Sequence, residues 1–264
     1  MGVKMVSGSK RPYSLLIALL TLISPLFLIV PVAYATDTQA VVVEVFKEDK
    51  VHLDIGDETH VTRTLTIQNV VDKPLVPGQI TLVLQKRSPH KLGPIPIPFT
   101  SEMTPVEVSY VKARASDGSN ITDLRIIHGE NSTTIQYGAW MPIEPKGTLT
   151  IVLEYDTPDI VERGILFNTL QYPFTSSSIP VEKAIVEVNP GNNHVTYAKE
   201  KPLRSGDVYV WEKPRLGMDS WEVALEYSIL PLPLLPFNGS VLFWGILLLL
   251  CLAWVIWTRP RKRP

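Results

Sequence analysis

In "THVTRTLTIQNV", Val61, Leu65 and Ile67 fall on one side of an extended chain, while Thr62, Thr64, Thr66 and Gln68 fall on the other. This is the period of two of a half-buried strand. The same alternation recurs around Ile80, Leu82 and Leu84, around Val106, Val108 and Tyr110, and through Leu149, Ile151, Leu153 and Tyr155. Turn-forming stretches separate these runs: "DKPLVPG", "ASDGSN", "HGEN" and "IEPKG". "DLRIIHGENSTTIQYG" predicts one hairpin whose arms join near Gly129. Beyond Pro158, "GILFNTLQY", "KAIVEVNPGNNHVTYA", "DVYVWEK" and "SWEVALEYSI" predict a second set of strands. Short strands at this spacing predict stacked antiparallel sheets. The expected architecture is therefore all-β, with a larger sandwich over residues 36–158 and a smaller one over 159–230. "VLEYD" and its later echo "ALEYS" suggest equivalent closing strands in the two halves.

The pattern changes at both ends. Lys4, Lys10 and Arg11 precede an apolar run from Ser14 to Val30, and "PVAYAT" follows with Ala33 and Ala35 at small-residue positions. That order predicts a signal peptide over 1–35, cleaved between Ala35 and Thr36. An uncleaved anchor is the alternative, weakened by Pro25 and Pro31. "VLFWGILLLLCLAWVIWT", residues 241–258, carries no charge and predicts a single transmembrane helix. Phe243, Trp244, Trp254 and Trp257 stand towards its two ends, and the basic tail 259–264 follows as a stop-transfer anchor on the cytoplasmic side. Residues 231–240, with Pro231, Pro233 and Pro236 among leucines, predict a stiff connector that holds the second sandwich close to the bilayer. The expected localisation is a cell membrane, or the endoplasmic reticulum membrane in a eukaryote, crossed once, with the β-rich mass on the exterior or luminal side.

The composition excludes some classes. A formal charge of −1 over 264 residues and 45% hydrophobic content do not describe a disordered tail or a polycation built for nucleic acid. The single cysteine, Cys251, lies inside the apolar run. The exterior must then be stabilised by core burial without disulfides.

Candidate chemistry is sparse. "VHLDIGDETHV", residues 51–61, gathers His52, His60, Asp54, Asp57 and Glu58. Its first half alternates as a strand, "GDE" is a turn, and His60 begins the polar face of the next strand. A divalent ion held by both histidines with Asp54 or Asp57 is the alternative, but neither the HExxH helix spacing nor a calcium-loop pattern is present. His90, His128 and His194 stand in turn-like or proline-rich surroundings. No nucleophile elbow, phosphate-binding glycine loop or acid/base pair stands out, so neither catalytic activity nor a cofactor or metal is expected. Three glycosylation sequons occur, at Asn120, Asn131 and Asn238, of which the first two, in predicted turns, are the better acceptors. "FNTLQYPFTSSSIPVEKAIVEV" places Phe167, Tyr172 and Phe174 close together. They are either core plugs at a domain junction or an exposed aromatic surface for a partner. Trp211 and Trp221 pose the same choice, with core packing favoured.

The order of three segments resembles ribophorin I, a non-catalytic membrane subunit of the oligosaccharyltransferase. "HLDIGDETHVTRTLTIQNVVDKPL" resembles that family's first strand pair. "IEPKGTLTIVLEYDTPDI" resembles its proline-glycine turn and closing strand, and "NTLQYPFTSSSIPVEKAIVEV" its tyrosine-proline crossover into the second domain. Together they cover about half of the exterior. The resemblance implies a membrane-anchored accessory subunit in protein N-glycosylation, partnered by the bilayer and by an oligosaccharyltransferase catalytic subunit. The chain is far shorter than the eukaryotic family members, which fits a minimal, archaeal relative. The alternative is a cell-envelope adhesion or surface-layer scaffold protein that uses the sandwiches as spacers.

Overall fold

Most of the alternating runs become strands. A computed structural model describes residues 43–88, 91–92, 95–96, 100, 102–174, 179–205, 207–216 and 221–258, all within one unit, Val42–Pro264. The expected signal peptide with its Ala35/Thr36 cleavage, the basic tail and His90 lie outside the described residues. In chain order the strands are β1 (Glu44–Ile55), β2 (Thr59–Asn69), β3 (Gly78–Ser88), β4 (Lys91–Leu92), β5 (Ile95–Pro96), β6 (Glu102–Pro105), β7 (Ser109–Ala115), β8 (Leu124–His128) and β9 (Thr133–Ala139). Then come β10 (Thr148–Thr157), β11 (Val161–Glu162), β12 (Asn168–Phe174), β13 (Val181–Asn189), β14 (His194–Ala198), β15 (Leu203–Ser205), β16 (Val208–Leu216) and β17 (Trp221–Ser228). One helix follows, α1 (Gly239–Thr258).

A seven-stranded sheet has the order β15-β16-β13-β1-β2-β10-β7. Its inward face carries Val51, Leu53, Val61, Leu65, Ile67, Ile151, Leu153, Tyr155, Val186 and Trp211, all buried. Two four-stranded sheets, β11-β12-β17-β14 and β6-β3-β9-β8, supply Leu170, Tyr172, Val223, Leu225, Leu82 and Ile135 to the same hydrophobic core. β4 and β5 form a separate ribbon.

The expected division at residue 158 does not separate two sandwiches. β13, from the second half, pairs with β1 in parallel, Val51 opposite Val186, and carries β16 and β15 into the same sheet. Period-two patterning fixes which face of a strand is buried but leaves its neighbour open, and parallel neighbours need a long crossover that no local turn announces. For the same reason the sheets are not wholly antiparallel. β13 and β14, which "NPGNN" joins, belong to different sheets.

Local expectations fare better. β8 and β9 pair as a hairpin, with the Gly129 N–H donating to the Ser132 carbonyl at 2.8 Å. The run through Val106, Val108 and Tyr110 is broken instead. β7 pairs Ser109 with Asp156 and Lys112 with Glu154, so a bulge lies between them. Tyr110 sits there at φ 52 and turns its ring to solvent, 76% exposed, because the extra residue shifts the alternation by one.

Candidate functional site

Among the described residues, the junction between β17 and α1 gathers a dense polar cluster around one buried carboxylate. Along β17, Trp221, Val223, Leu225 and Tyr227 face the core, so Glu226 points to the other side, where a strand of this sheet would ordinarily meet water. Glu226 is nonetheless fully buried, at 0% exposure. Its carboxylate accepts the N–H of Gly239 at 2.8 Å, the N–H of Ser240 at 3.0 Å and the hydroxyl of Ser240 at 2.7 Å. A fourth bond comes from the Thr196 hydroxyl of β14 at 3.1 Å. Asn238 is the N-cap, its Oδ1 accepting the N–H groups of Ser240 at 2.9 Å and Val241 at 3.3 Å. A carboxylate here satisfies orphan donors of the first turn and complements the positive end of the helix dipole. Gly239 allows the approach: a Cβ at that position would lie 2.8 Å from Glu226 Oε1 and 2.9 Å from the Phe167 ring.

The connector is part of this junction. Leu235 N–H donates to the Thr196 carbonyl at 2.6 Å, Leu230 N–H to the Ser228 hydroxyl at 3.1 Å, and that hydroxyl to the Leu166 carbonyl at 2.7 Å. Residues 229–238 thus lie back on the sandwich. From there α1 runs for twenty residues without a charged side chain, with Trp244, Leu248, Leu249 and Leu250 exposed. Among side chains described without a break, 239–255, no helix reaches the length and apolarity that mark a membrane span. The helical backbone itself continues to Thr258.

The stretch 51–61 is the β1–β2 hairpin, with Asp54 opposite His60 and Ile55 opposite Thr59. Its histidines diverge across the outward face. His52 Nδ1 lies 3.1 Å from Glu187 of β13 and its Nε2 lies 3.3 Å from Asp54. His60 Nδ1 lies 2.6 Å from Asp156 of β10. Among the described residues no group of three or more His, Cys, Asp or Glu is arranged to hold a metal. Lys50 lies 2.8 Å from Glu187. Burial would raise the Glu187 carboxyl, but Lys50 and His52 outweigh it and hold it below the ordinary glutamate value.

Inside the core, Arg63 occupies an inward position of β2 between Val61 and Leu65. It binds Asp49 through two bonds, Nε to Oδ1 at 2.8 Å and Nη2 to Oδ2 at 2.5 Å, and Phe174 stacks on its guanidinium at 5.4 Å. Burial would lower the Arg63 pKa, yet Asp49 keeps it above the ordinary value. Burial raises Tyr172 and Tyr155, and pushes Tyr137 up to about 12, so all three stay neutral. Tyr172 and Phe174 are thereby core residues, 2% and 3% exposed. The expectation of an exposed partner surface fails for both, because residues 170, 172 and 174 share the inward face of β12. Phe167, half-buried, packs at the helix start instead. Trp211 and Trp221 are core.

Asn120, in an isolated bridge to Arg114, and Asn131, in the β8–β9 turn, are both exposed, whereas Asn238 and Ser240 of the third sequon are engaged in the cap. A cleft of about 210 Å³ lined by Lys86, Asp159 and Gln171 falls below the roughly 300 Å³ of small-molecule pockets. Lys86 and Asp159 pair across it at 2.5 Å.

No family model matches the chain. An uncharacterized protein of Methanocaldococcus jannaschii is 29% identical over 145 residues, which is 53% of this chain and 98% of that protein. A structure from Legionella pneumophila, described as a candidate nutrient-binding protein, is 11% identical with a TM-score of 0.41, covering 71% of this chain and 67% of that one. The M1 zinc metallopeptidase of Deinococcus radiodurans is 12% identical with a TM-score of 0.36, covering 70% of this chain and 42% of the peptidase.

Proposed function

We propose that the protein is a membrane-anchored, non-catalytic accessory subunit, similar to ribophorin I, that serves an oligosaccharyltransferase from the exterior or luminal face. The observation that carries the anchored part is the junction at Glu226. A twenty-residue helix is about 30 Å long, the thickness of a bilayer's hydrocarbon core. A helix apolar on every side is stable only when buried in protein or in lipid, and α1 leaves most of its described side chains exposed. Fixing its first turn to a fully buried carboxylate makes the sandwich and the anchor one body. That is useful where the exterior must be presented at a set height, and superfluous for an adhesion protein that needs reach.

The glycosylation part is supported by where the resembling segments lie. "HLDIGDETHVTRTLTIQNVVDKPL", "IEPKGTLTIVLEYDTPDI" and "NTLQYPFTSSSIPVEKAIVEV" supply β1, β2, β10, β12 and β13, and four of these are consecutive in one sheet, β13-β1-β2-β10. Those four form one contiguous block, and β12 lies in a second sheet that shares their core. In this reading a cleaved leader delivers the chain, Asn120 and Asn131 carry glycans, catalysis belongs to the partner, and the protein needs no cofactor.

The test is isolation of the full chain from its native membrane in mild detergent, with identification of what accompanies it, beside measurement of glycan occupancy on exported proteins after gene deletion. Co-purification of a transferase catalytic subunit and reduced occupancy are expected. Unchanged occupancy with no transferase in the complex overturns the proposal and puts the adhesion or surface-layer scaffold in front.

A further inference from the structure

We infer that the end of the sandwich next to α1 carries an apolar collar, built by two chain segments far apart in sequence, that enters the lipid headgroup region beside the anchor. This rests on the anchored reading above and adds a second membrane contact to it. The collar residues are Ile165, Leu166, Ile229, Leu230, Leu234 and Phe237, every one a large hydrophobic side chain left exposed, with Ile165 and Ile229 each 80% accessible. A β-rich domain can leave single apolar residues in water without consequence, but a group of six in contiguous segments calls for a partner.

Hydrogen bonds bring the segments together. The Ser228 hydroxyl donates to the Leu166 carbonyl at 2.7 Å and accepts from Leu230 N–H at 3.1 Å, joining the 163–167 loop to the end of β17. Asn168 lies opposite Tyr227 in the sheet. The Phe167 ring abuts Gly239, the first residue of α1, and Leu235 is held to β14 through the Thr196 carbonyl. The loop, the end of β17 and the connector therefore all meet at the first helical turn.

That location selects the occupant. Where α1 enters the bilayer, the chain crosses from water through the headgroups, and whatever is fixed against its first turn stands at that level. Apolar side chains bury about 5–10 Å deep at such a boundary, and aromatic rings such as Phe237 suit it. The one basic residue in the loop, Arg163, is already committed: its guanidinium donates to the carbonyls of Gly56 and Asp57 in the β1–β2 turn. The collar should therefore bind through apolar contact, without needing anionic lipid.

The experiment uses the full chain reconstituted in phosphatidylcholine vesicles, with Cys251→Ser as background. Single cysteines at 165, 229, 112 and 248 receive an environment-sensitive fluorophore, and doxyl groups placed shallow or deep in the lipid chains report depth. Residue 112 is exposed on β7, the edge strand of the seven-stranded sheet, and residue 248 lies mid-way along α1. The expected result is stronger quenching of the 165 and 229 labels by shallow than by deep doxyl lipid, the reverse order at 248, and no quenching at 112. Labels at 165 and 229 that behave like 112 while 248 is quenched overturn the collar and leave the anchor standing. Blue-shifted but unquenched labels at 165 and 229 also overturn it, by assigning the patch to a protein partner. An unquenched label at 248 removes the anchored reading, and the collar with it.

Discussion

Replacing Glu226 with alanine removes one acceptor from four donors, and the structure says which donors can be re-satisfied. Ser240 N–H keeps Asn238 Oδ1 at 2.9 Å, and the Thr196 hydroxyl keeps the Glu226 main-chain carbonyl at 3.2 Å. Gly239 N–H, a buried donor, and the Ser240 hydroxyl lose their acceptor. A buried donor left unsatisfied costs about 1–3 kcal/mol, so two of them together with the vacated volume come to about 2–5 kcal/mol. For a domain of about 150–250 residues each kcal/mol shifts Tm by about 2–4 °C, giving an expected fall of about 4–20 °C. Glu226→Gln retains one acceptor oxygen but turns an NH2 group towards donors, and should lose roughly half as much. Thermal unfolding of the full chain in detergent, combined with amide exchange at residues 239–242, measures both consequences. The alanine variant should release the exchange protection of the first helical turn while the β1–β2 amides remain protected. An alanine variant within about 1 kcal/mol of the parent, with unchanged exchange at 239–242, would show that the junction contributes nothing to holding the helix.

Gly239→Ala should destabilise by about 1–3 kcal/mol, because its Cβ would lie 2.8 Å from Glu226 Oε1 and 2.9 Å from the Phe167 ring; equal stability of the two proteins in denaturant would refute the close approach. Arg63→Met alone should cost about 3–5 kcal/mol by leaving Asp49 buried and unpaired, whereas the Asp49→Leu/Arg63→Met double variant should recover most of the loss, and additive losses in a double-mutant cycle would count against this. Expression in a host that glycosylates N-x-S/T sites should add glycans at Asn120 and Asn131 but not at Asn238, as read by peptide mass, since the Asn238 side chain and the Ser240 hydroxyl are both engaged at the helix start. Because the Glu187 carboxyl is held below its ordinary value of 4.5, its contribution is fully present above that value and is lost as pH falls through the depressed native value. Glu187→Gln should therefore flatten the acid limb of the stability curve, and an identical acid limb in the variant would contradict the assignment.

The long strands were legible because they bury one face. Leu149, Ile151, Leu153 and Tyr155 alternate without interruption, and the protein buries all four. What escaped the sequence pattern was non-local. The parallel contact of β1 with β13 joins residues more than a hundred positions apart, and nothing in either strand's alternation names its neighbour. Arg63 was visible in principle, since a charged residue at an inward position between Val61 and Leu65 must find a partner or be excluded from the core. Asp49 occupies the corresponding inward position of β1, so the pair could have been proposed from parity alone. Tyr110 misleads for the opposite reason: the bulge beside it breaks the parity on which its inward assignment depended.

The echo between "VLEYD" and "ALEYS" isolates what pattern alone cannot decide. Both strands turn leucine and tyrosine inward, Leu153 and Tyr155 in β10, Leu225 and Tyr227 in β17, so the glutamate between them faces outward in each. In β10 that outward position lies on the polar face of the seven-stranded sheet, where Glu154 meets Arg114 of β7 in a surface ion pair of the kind worth at most about 1 kcal/mol. In β17 the same outward position is covered by the chain that returns to start α1, and Glu226 becomes the buried acceptor on which the helix is fixed. Identical letters at identical parity thus carry different energies, set by whether a later segment closes over them. The segment that does so here begins with Asn238, Gly239 and Ser240, a cap residue, a residue without a Cβ and a donor hydroxyl. The signal for the junction is therefore the coincidence of that helix start with an outward glutamate on the preceding strand, and neither half is informative by itself.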